Sequence, residues 1–243
     1  MSHWPGKYVI GLTGNIATGK SVVRRMMEHL GAYTIDADSL AHRVLSKGAP
    51  GYQPTLDRFG KWVLDKDGNI DRAKLGKLVF SDADALAQLE EIVHPYVLQA
   101  VDLLIRRANQ RVIVVEAIKL IESGMREQCD SIWVTDAPQE VQIERLMRKR
   151  NLTREESIQR IRAQAPQSDK LAAAAVIIRN TGSYDELWNQ VSTEWKRFAP
   201  KPETGPLPAS NTQPGTYLLL RGRPRDAQRI AEFISRQSKG RRA

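Results

Sequence analysis

Apolar positions recur in two rhythms along this chain. Residues 8–12 form a short apolar run that reads as a buried strand, followed at once by a polar loop containing two glycines. Beyond the loop, Val22, Val23, Met26, Met27 and Leu30 return at helical spacing, which predicts a helix starting near Ser21 and stopping at Gly31. Residues 33–35 predict a second strand. Ala37, Leu40, Ala41, Val44 and Leu45 stripe another helix. Residues 50–82 mix glycines with short apolar pieces and hold no steady period. A helical stripe over 83–93 is expected to break at His94-Pro95 and resume to about Arg107. The β-branched runs "RVIVVE" (111–116) and "SIWVT" (131–135) predict buried strands. Pro138 opens a helix to about Arg150, and Thr153 with Glu156 forms a capping box for the next. A last strand is expected at 175–178. Tyr184, Leu187, Trp188, Val191, Trp195 and Phe198 stripe a closing helix. Five strands alternating with helices predict an α/β fold, a parallel sheet covered by helices on both faces.

Size and charge refine this picture. A chain of 243 residues accommodates one sizeable α/β domain, or one domain with an appendage. No apolar run approaches the roughly 18 residues of a membrane span, and the opening "MSHWPGKYVIGL" lacks the apolar core of a secretory leader. The single cysteine, Cys129, excludes an internal disulfide and a cysteine-built metal site, so the expected compartment is the cytoplasm, with no membrane partner. Of the net charge of +9, residues 199–243 carry +6, from nine Lys/Arg against three Asp/Glu. The slightly basic remainder suits a polyanionic small substrate. No RNP, zinc-finger or helix-turn-helix signature accompanies the basic tail, so a nucleic-acid partner is not expected. Residues 199–215, with five prolines, read as a linker. Residues 216–243 read as a basic tail, too short to bury a core of its own and without an assigned role.

The chemistry starts in the first loop. Gly14-Asn15-Ile16-Ala17-Thr18-Gly19-Lys20-Ser21 fits G-x-x-x-x-G-K-[ST], between a strand and a helix. In such a loop the backbone N–H groups form an anion nest at the positive end of the helix. Gly14 and Gly19 permit the tight backbone, Lys20 reaches the β and γ phosphates, and the Ser21 hydroxyl ligates Mg²⁺. The loop predicts a nucleotide triphosphate without naming the phosphate acceptor. No N-K-x-D element points to a GTPase, and no L-S-G-G-Q-like signature points to an ABC-type ATPase.

Two further clusters narrow the reaction. The second strand ends in Asp36-Ala37-Asp38, at the carboxyl edge of the sheet where open α/β folds bind ligands. One carboxylate there can accept a proton from an attacking hydroxyl while the other supports Mg²⁺ or the base; either could instead cap the following helix. Farther on, Arg145, Arg148, Lys149, Arg150, Arg154, Arg160 and Arg162 cluster. Arginine forks stabilise the charge that spreads during phosphoryl transfer, and one or two of these residues are expected to reach the nucleotide from a mobile flap, the rest forming a solvated basic face. The residues alone thus indicate a P-loop small-molecule kinase. A nucleoside, nucleotide or shikimate-type kinase, and an ATP-switched nucleic-acid-binding protein, remain alternatives.

The chain resembles the dephospho-coenzyme A kinases over residues 8 to about 198. The matching stretches are "IGLTGNIATGKS", "IDADSLAHRV", "GAPGY", "DRFG", "DGNIDRAKLGKLVF", "LEEIVHPYV", "ERLMRKR", "RIRAQ" and "IIRNTG". The resemblance implies a P-loop kinase domain over 1–198, with a helical coenzyme A-binding insertion at about 50–107 and a lid at about 146–170. It implies transfer of the ATP γ-phosphate to the ribose 3′-hydroxyl of dephospho-coenzyme A, the last step of coenzyme A synthesis, with Mg²⁺. By position it implies Lys20, Asp38 as base and Arg145 as the catalytic set, and Asn180 and Gly182 beside the adenine. Asp36, Asp38, His42, Leu75 and His94 fall on the acceptor side. Three departures stand out. Asn15 and Ala17 replace glycines usual in the loop. Glu116-Ala117-Ile118-Lys119-Leu120-Ile121-Glu122 stands where D-x-P-L-L-x-E is usual, which leaves room for a non-catalytic homologue. The tail beyond residue 198 is additional.

Overall fold

The computed structural model describes residues 3–198; the expected linker (199–215) and basic tail (216–243) lie outside the described residues. Among the described residues the chain divides into two compact units, 3–36 with 108–198, and 37–107.

The first unit is built on a five-stranded, all-parallel sheet. Its strands are β1 (Tyr8–Thr13), β2 (Tyr33–Asp36), β3 (Val112–Glu116), β4 (Ser131–Asp136) and β5 (Val176–Arg179), in the order β2-β3-β1-β4-β5. The central strands are buried along their length, as expected of runs such as "VIVVE" that face helices on both sides. One face packs on α1 (Lys20–His29) and α9 (Tyr184–Phe198). There Ile10, Leu12, Val114, Trp133 and Ile178 meet Val23, Met26, Met27, Leu187 and Val191. Each fully buried aliphatic side chain in this cluster contributes about 1.5–3 kcal/mol. On the other face Leu120, Cys129 and Ile132 crowd Gly11 so closely that a β-carbon at that position would lie 2.7 Å from Leu120 Cδ2. Three helices stand between β4 and β5 in the chain: α6 (Gln139–Arg150), α7 (Arg154–Arg162) and α8 (Gln167–Ala172). The capping box at Thr153 and Glu156 forms as expected. Asn151 ends α6 in the left-handed conformation at φ 51°, which asparagine tolerates better than most residues.

The second unit is helical: α2 (Ala37–Val44), α3 (Tyr52–Phe59), α4 (Arg72–Ser81) and α5 (Ala83–Arg107). The stretch 50–82, without a steady period in the sequence, resolves into two short helices and a 3-10 turn at Lys61–Val63. Their apolar residues converge on one small core of Leu56, Val63, Leu75, Val79 and Ala85. The expected break at His94-Pro95 does not occur, and α5 runs unbroken through Pro95. Pro95 is exposed, whereas Val93, Val97, Ala100, Val101 and Ile105 line a buried face on both sides of it. Burial of that continuous stripe outweighs the lost main-chain bond.

Candidate active site

The carboxyl ends of the strands in the first unit bring together residues that are far apart in the chain. Gly14 follows β1, Asp36 and Glu116 end β2 and β3 in direct register, Asp136 ends β4, and Asn180 follows β5.

The loop between β1 and α1 has the conformation its glycines allow. Gly14 and Gly19 adopt φ of 142° and 103°. A β-carbon on Gly14 would lie 2.4 Å from the Thr135 carbonyl, and one on Gly19 1.9 Å from Asn180 Nδ2, so both positions exclude any other residue. Ala17 also lies in the left-handed region, at φ 61°, without glycine's freedom. Hydrogen bonds from within the loop and from β4 hold it. Thr18 Oγ1 bonds the Asn15 carbonyl and Thr135 Oγ1, each at 2.7 Å. The buried Lys20 ammonium donates to the carbonyls of Gly14 (2.7 Å) and Asn15 (3.3 Å), which centres a positive charge in the loop.

Ser21 stands in the first turn of α1 and donates its hydroxyl to Glu116 Oε1 at 3.0 Å. Glu116 is only 4% exposed, and its other oxygen accepts from Arg24 Nε, whose Nη1 also reaches Thr34 Oγ1. A buried carboxylate keeps its charge only when paired in this way. The Ser21 hydroxyl and the Glu116 carboxylate are hard oxygen donors set side by side, a fit for Mg²⁺, which binds few protein oxygens and takes the rest of its shell from phosphates and water. Among the described residues no cluster of three or more His, Cys, Asp or Glu offers a denser metal site. Glu116 was not among the expected site residues. Its signal in the sequence was an acid ending a β-branched run, and only the placement of β3 beside β1 gave that acid a role.

Arg145 lies half-buried on α6. Its Nη1 donates to the Ala17 carbonyl at 3.1 Å, and its Nη2 to the carbonyl (2.9 Å) and Oδ1 (3.0 Å) of Asn180. Asn180 Nδ2 returns a bond to the Thr18 carbonyl at 2.9 Å. Burial lowers the guanidinium's pKa, with Arg148 acting in the same direction and Glu144 against it; a guanidinium remains protonated at neutral pH all the same. Loop, Arg145 and Asn180 thus form one hydrogen-bonded assembly. Gly182 follows in the turn to α9, where Ser183 and Glu186 bond each other's main chain. Arg154, from the basic cluster, forms an exposed pair with Glu140.

Past α7 the chain returns to the loop. Gln164 Oε1 accepts from Ile16 N at 2.6 Å and Gln167 Oε1 from Asn15 N at 3.0 Å, while Asn15 Nδ2 donates to the Ala165 carbonyl at 3.1 Å. Behind them the almost fully buried Lys170 pairs with Glu122 at 2.8 Å. Partial burial works to raise the Glu122 pKa, but the hydrogen bond and charge of Lys170 prevail and lower it.

The other expected site residues belong to the 37–107 unit. Asp38 stands in the first turn of α2, two residues past Asp36, and His42 is exposed in its last turn. Leu75 is 4% exposed within that unit's core, and His94 is half-buried on α5.

Comparison with known proteins gives the family. The CoaE family model, described as dephospho-CoA kinase, matches residues 8–186. The dephospho-CoA kinase of Carboxydothermus hydrogenoformans is 42% identical over 201 residues, covering 79% of this chain and 98% of that one. Among solved structures, TT1252 from Thermus thermophilus aligns at 31% identity with a TM-score of 0.70, over 80% of this chain and 99% of its own. The dephospho-CoA kinase from Campylobacter jejuni aligns at 30% identity and 0.57, over 79% and 96%. With the loop, its lysine and the acid beside its serine in place, and with relatives this similar matched over nearly their whole length, the chain belongs to the dephospho-CoA kinase family.

Proposed function

We propose that this protein transfers the γ-phosphate of ATP to the ribose 3′-hydroxyl of dephospho-coenzyme A, giving coenzyme A and ADP. Family membership carries the choice of acceptor. The loop chemistry supports the choice of donor. The residues 14–21 enclose the phosphates, with main-chain N–H groups and the Lys20 ammonium opposing their charge. Asn180 and Gly182 border the adenine. Arg145, fastened to the loop at Ala17, adds a fixed positive charge on the nucleotide side.

Ser21 and Glu116 would hold Mg²⁺, which when bound neutralises phosphate charge. Arg24 holds the Glu116 carboxylate in place beside Ser21. Asp38 accepts the proton of the attacking hydroxyl, and Asp36 supports it from the end of β2. The helical insertion of about 50–107 holds the coenzyme A portion, with His42 and His94 as polar contacts. Leu75 acts from that unit's core by shaping it. The segment of about 146–170 serves as the lid that excludes water during transfer. No helix among the described residues is long and apolar enough to cross a membrane. We place the reaction in the cytoplasm, where a lone cysteine needs no oxidising compartment.

The decisive measurement is ADP release with Mg·ATP and dephospho-coenzyme A, wild type against Asp38→Asn. Turnover by the wild type is expected to be lost in the variant at unchanged ATP affinity. Equal turnover of adenosine monophosphate or shikimate by the wild type would overturn the choice of acceptor, and full activity in Asp38→Asn would overturn the choice of base.

A further inference from the structure

Two main-chain N–H groups of the phosphate loop are already occupied by the chain itself. Asn15 N and Ile16 N donate to the side-chain oxygens of Gln167 and Gln164. Asn15 closes the same contact from the other side through its Nδ2 and the Ala165 carbonyl. Gln167 is anchored in turn, its Nε2 donating to the Thr135 carbonyl at 3.0 Å and to Asp136 Oδ1 at 3.1 Å at the end of β4. Among the described residues the N–H groups of Ala17 and Gly19 have no protein acceptor. The loop is therefore divided: its first two amides are tied to the segment after α7, and amides farther along are left for a ligand.

We infer that Gln164 and Gln167 are positioning residues that brace the first half of the phosphate loop, and that they do so as neutral acceptors because a carboxylate there would repel the triphosphate. The inference rests on the kinase reading for its substrate but concerns nucleotide binding itself. Three hydrogen bonds converge on two consecutive loop residues from a four-residue stretch about 150 positions away in sequence. Asn15 is 4% exposed, so these bonds are shielded from competition with water. A glutamate has the shape of glutamine and accepts the same N–H bond, but it adds a full negative charge beside the phosphates. Gln164 isolates that difference. Its oxygen is used by Ile16, and its Nε2 has no acceptor among the described residues, so a glutamate there removes no donor in use.

The full chain is titrated with ATP, ADP and adenosine by calorimetry, for wild type, Gln164→Met and Gln164→Glu, with melting temperatures recorded. Removing the bond in Gln164→Met is expected to weaken ATP about tenfold, the scale of one shielded hydrogen bond, with adenosine changed less than twofold. Gln164→Glu is expected to melt like the wild type. It should weaken ATP more than ADP and leave adenosine unaffected, because the added charge acts on the phosphates alone. The brace is overturned if Gln164→Met binds ATP within twofold of the wild type, or if all three ligands weaken equally. Neutrality of the acceptor is overturned if Gln164→Glu binds ATP as well as the wild type. A wild type that binds ATP but fails to turn over dephospho-coenzyme A would strike the kinase reading alone.

Discussion

At the scale of single residues, the loop carries a strain that its hydrogen bonds tolerate. Ala17 sits at φ 61°, where a β-carbon costs about 1–2 kcal/mol, and its carbonyl is held there by Arg145. Ala17→Gly is therefore expected to stabilise the protein by about 1 kcal/mol, less glycine's own entropy, and to raise the melting temperature by about 2–4 °C. An unchanged or lower value in a thermal scan would show the strain to be absent. Cys129 makes a second residue-scale case. Burial, with a smaller push from the charge of Asp130, raises its thiol to about 12. Its Sγ donates to the Met125 carbonyl. Because folding raises this pKa from about 9, the thiol's contribution to stability is complete below that value and is lost as the pH climbs toward about 12. Alkylation by iodoacetamide at pH 8 should be slow in the folded protein and fast in denaturant; equal rates would place the thiol at the surface.

At the scale of elements, most helices and strands were legible because each announces itself within a few turns. The stripes of α1 and α9, the capping box of α7 and the β-branched runs of β3 and β4 are local signals. Residues 50–82 were not legible, because α3 and α4 are short helices held by a core shared among several segments, so neither shows a period of its own. The run of α5 through Pro95 failed expectation for a related reason, since the stripe that keeps it helical is buried by its neighbours. Pro95→Ala restores a main-chain donor at an exposed helix position and should raise stability by about 1–3 kcal/mol. Denaturant unfolding checks this, and a loss of stability would mean that the ring itself packs. If activity falls while stability rises, the proline serves the neighbouring His94 rather than the helix.

At the scale of the whole molecule, the charge is unevenly spread, with +6 of the +9 beyond residue 198. The family match ends at residue 186 and the last helix at Phe198. A chain cut after Phe198 is expected to retain turnover and nucleotide affinity within about twofold, a change below roughly 0.4 kcal/mol. An inactive but folded truncation, judged by circular dichroism, would assign the tail to the catalytic unit.

What the sequence determined unaided was the loop, whose two glycines, lysine and serine form a contiguous pattern, and the alternation that makes the sheet parallel. The acidic strand end at Asp36 and the basic run around Arg145 were visible too, though not what they meet. Tertiary structure decided the partners. Ser21 meets Glu116 across 95 positions, and Asn15 meets Gln167 across 152. These pairings follow from the strand order β2-β3-β1-β4-β5, which sets β3 and β4 on either side of the loop strand. Periodicity reports which face of an element is buried. Which element lies against that face depends on packing summed over the whole sheet, and no local pattern encodes it.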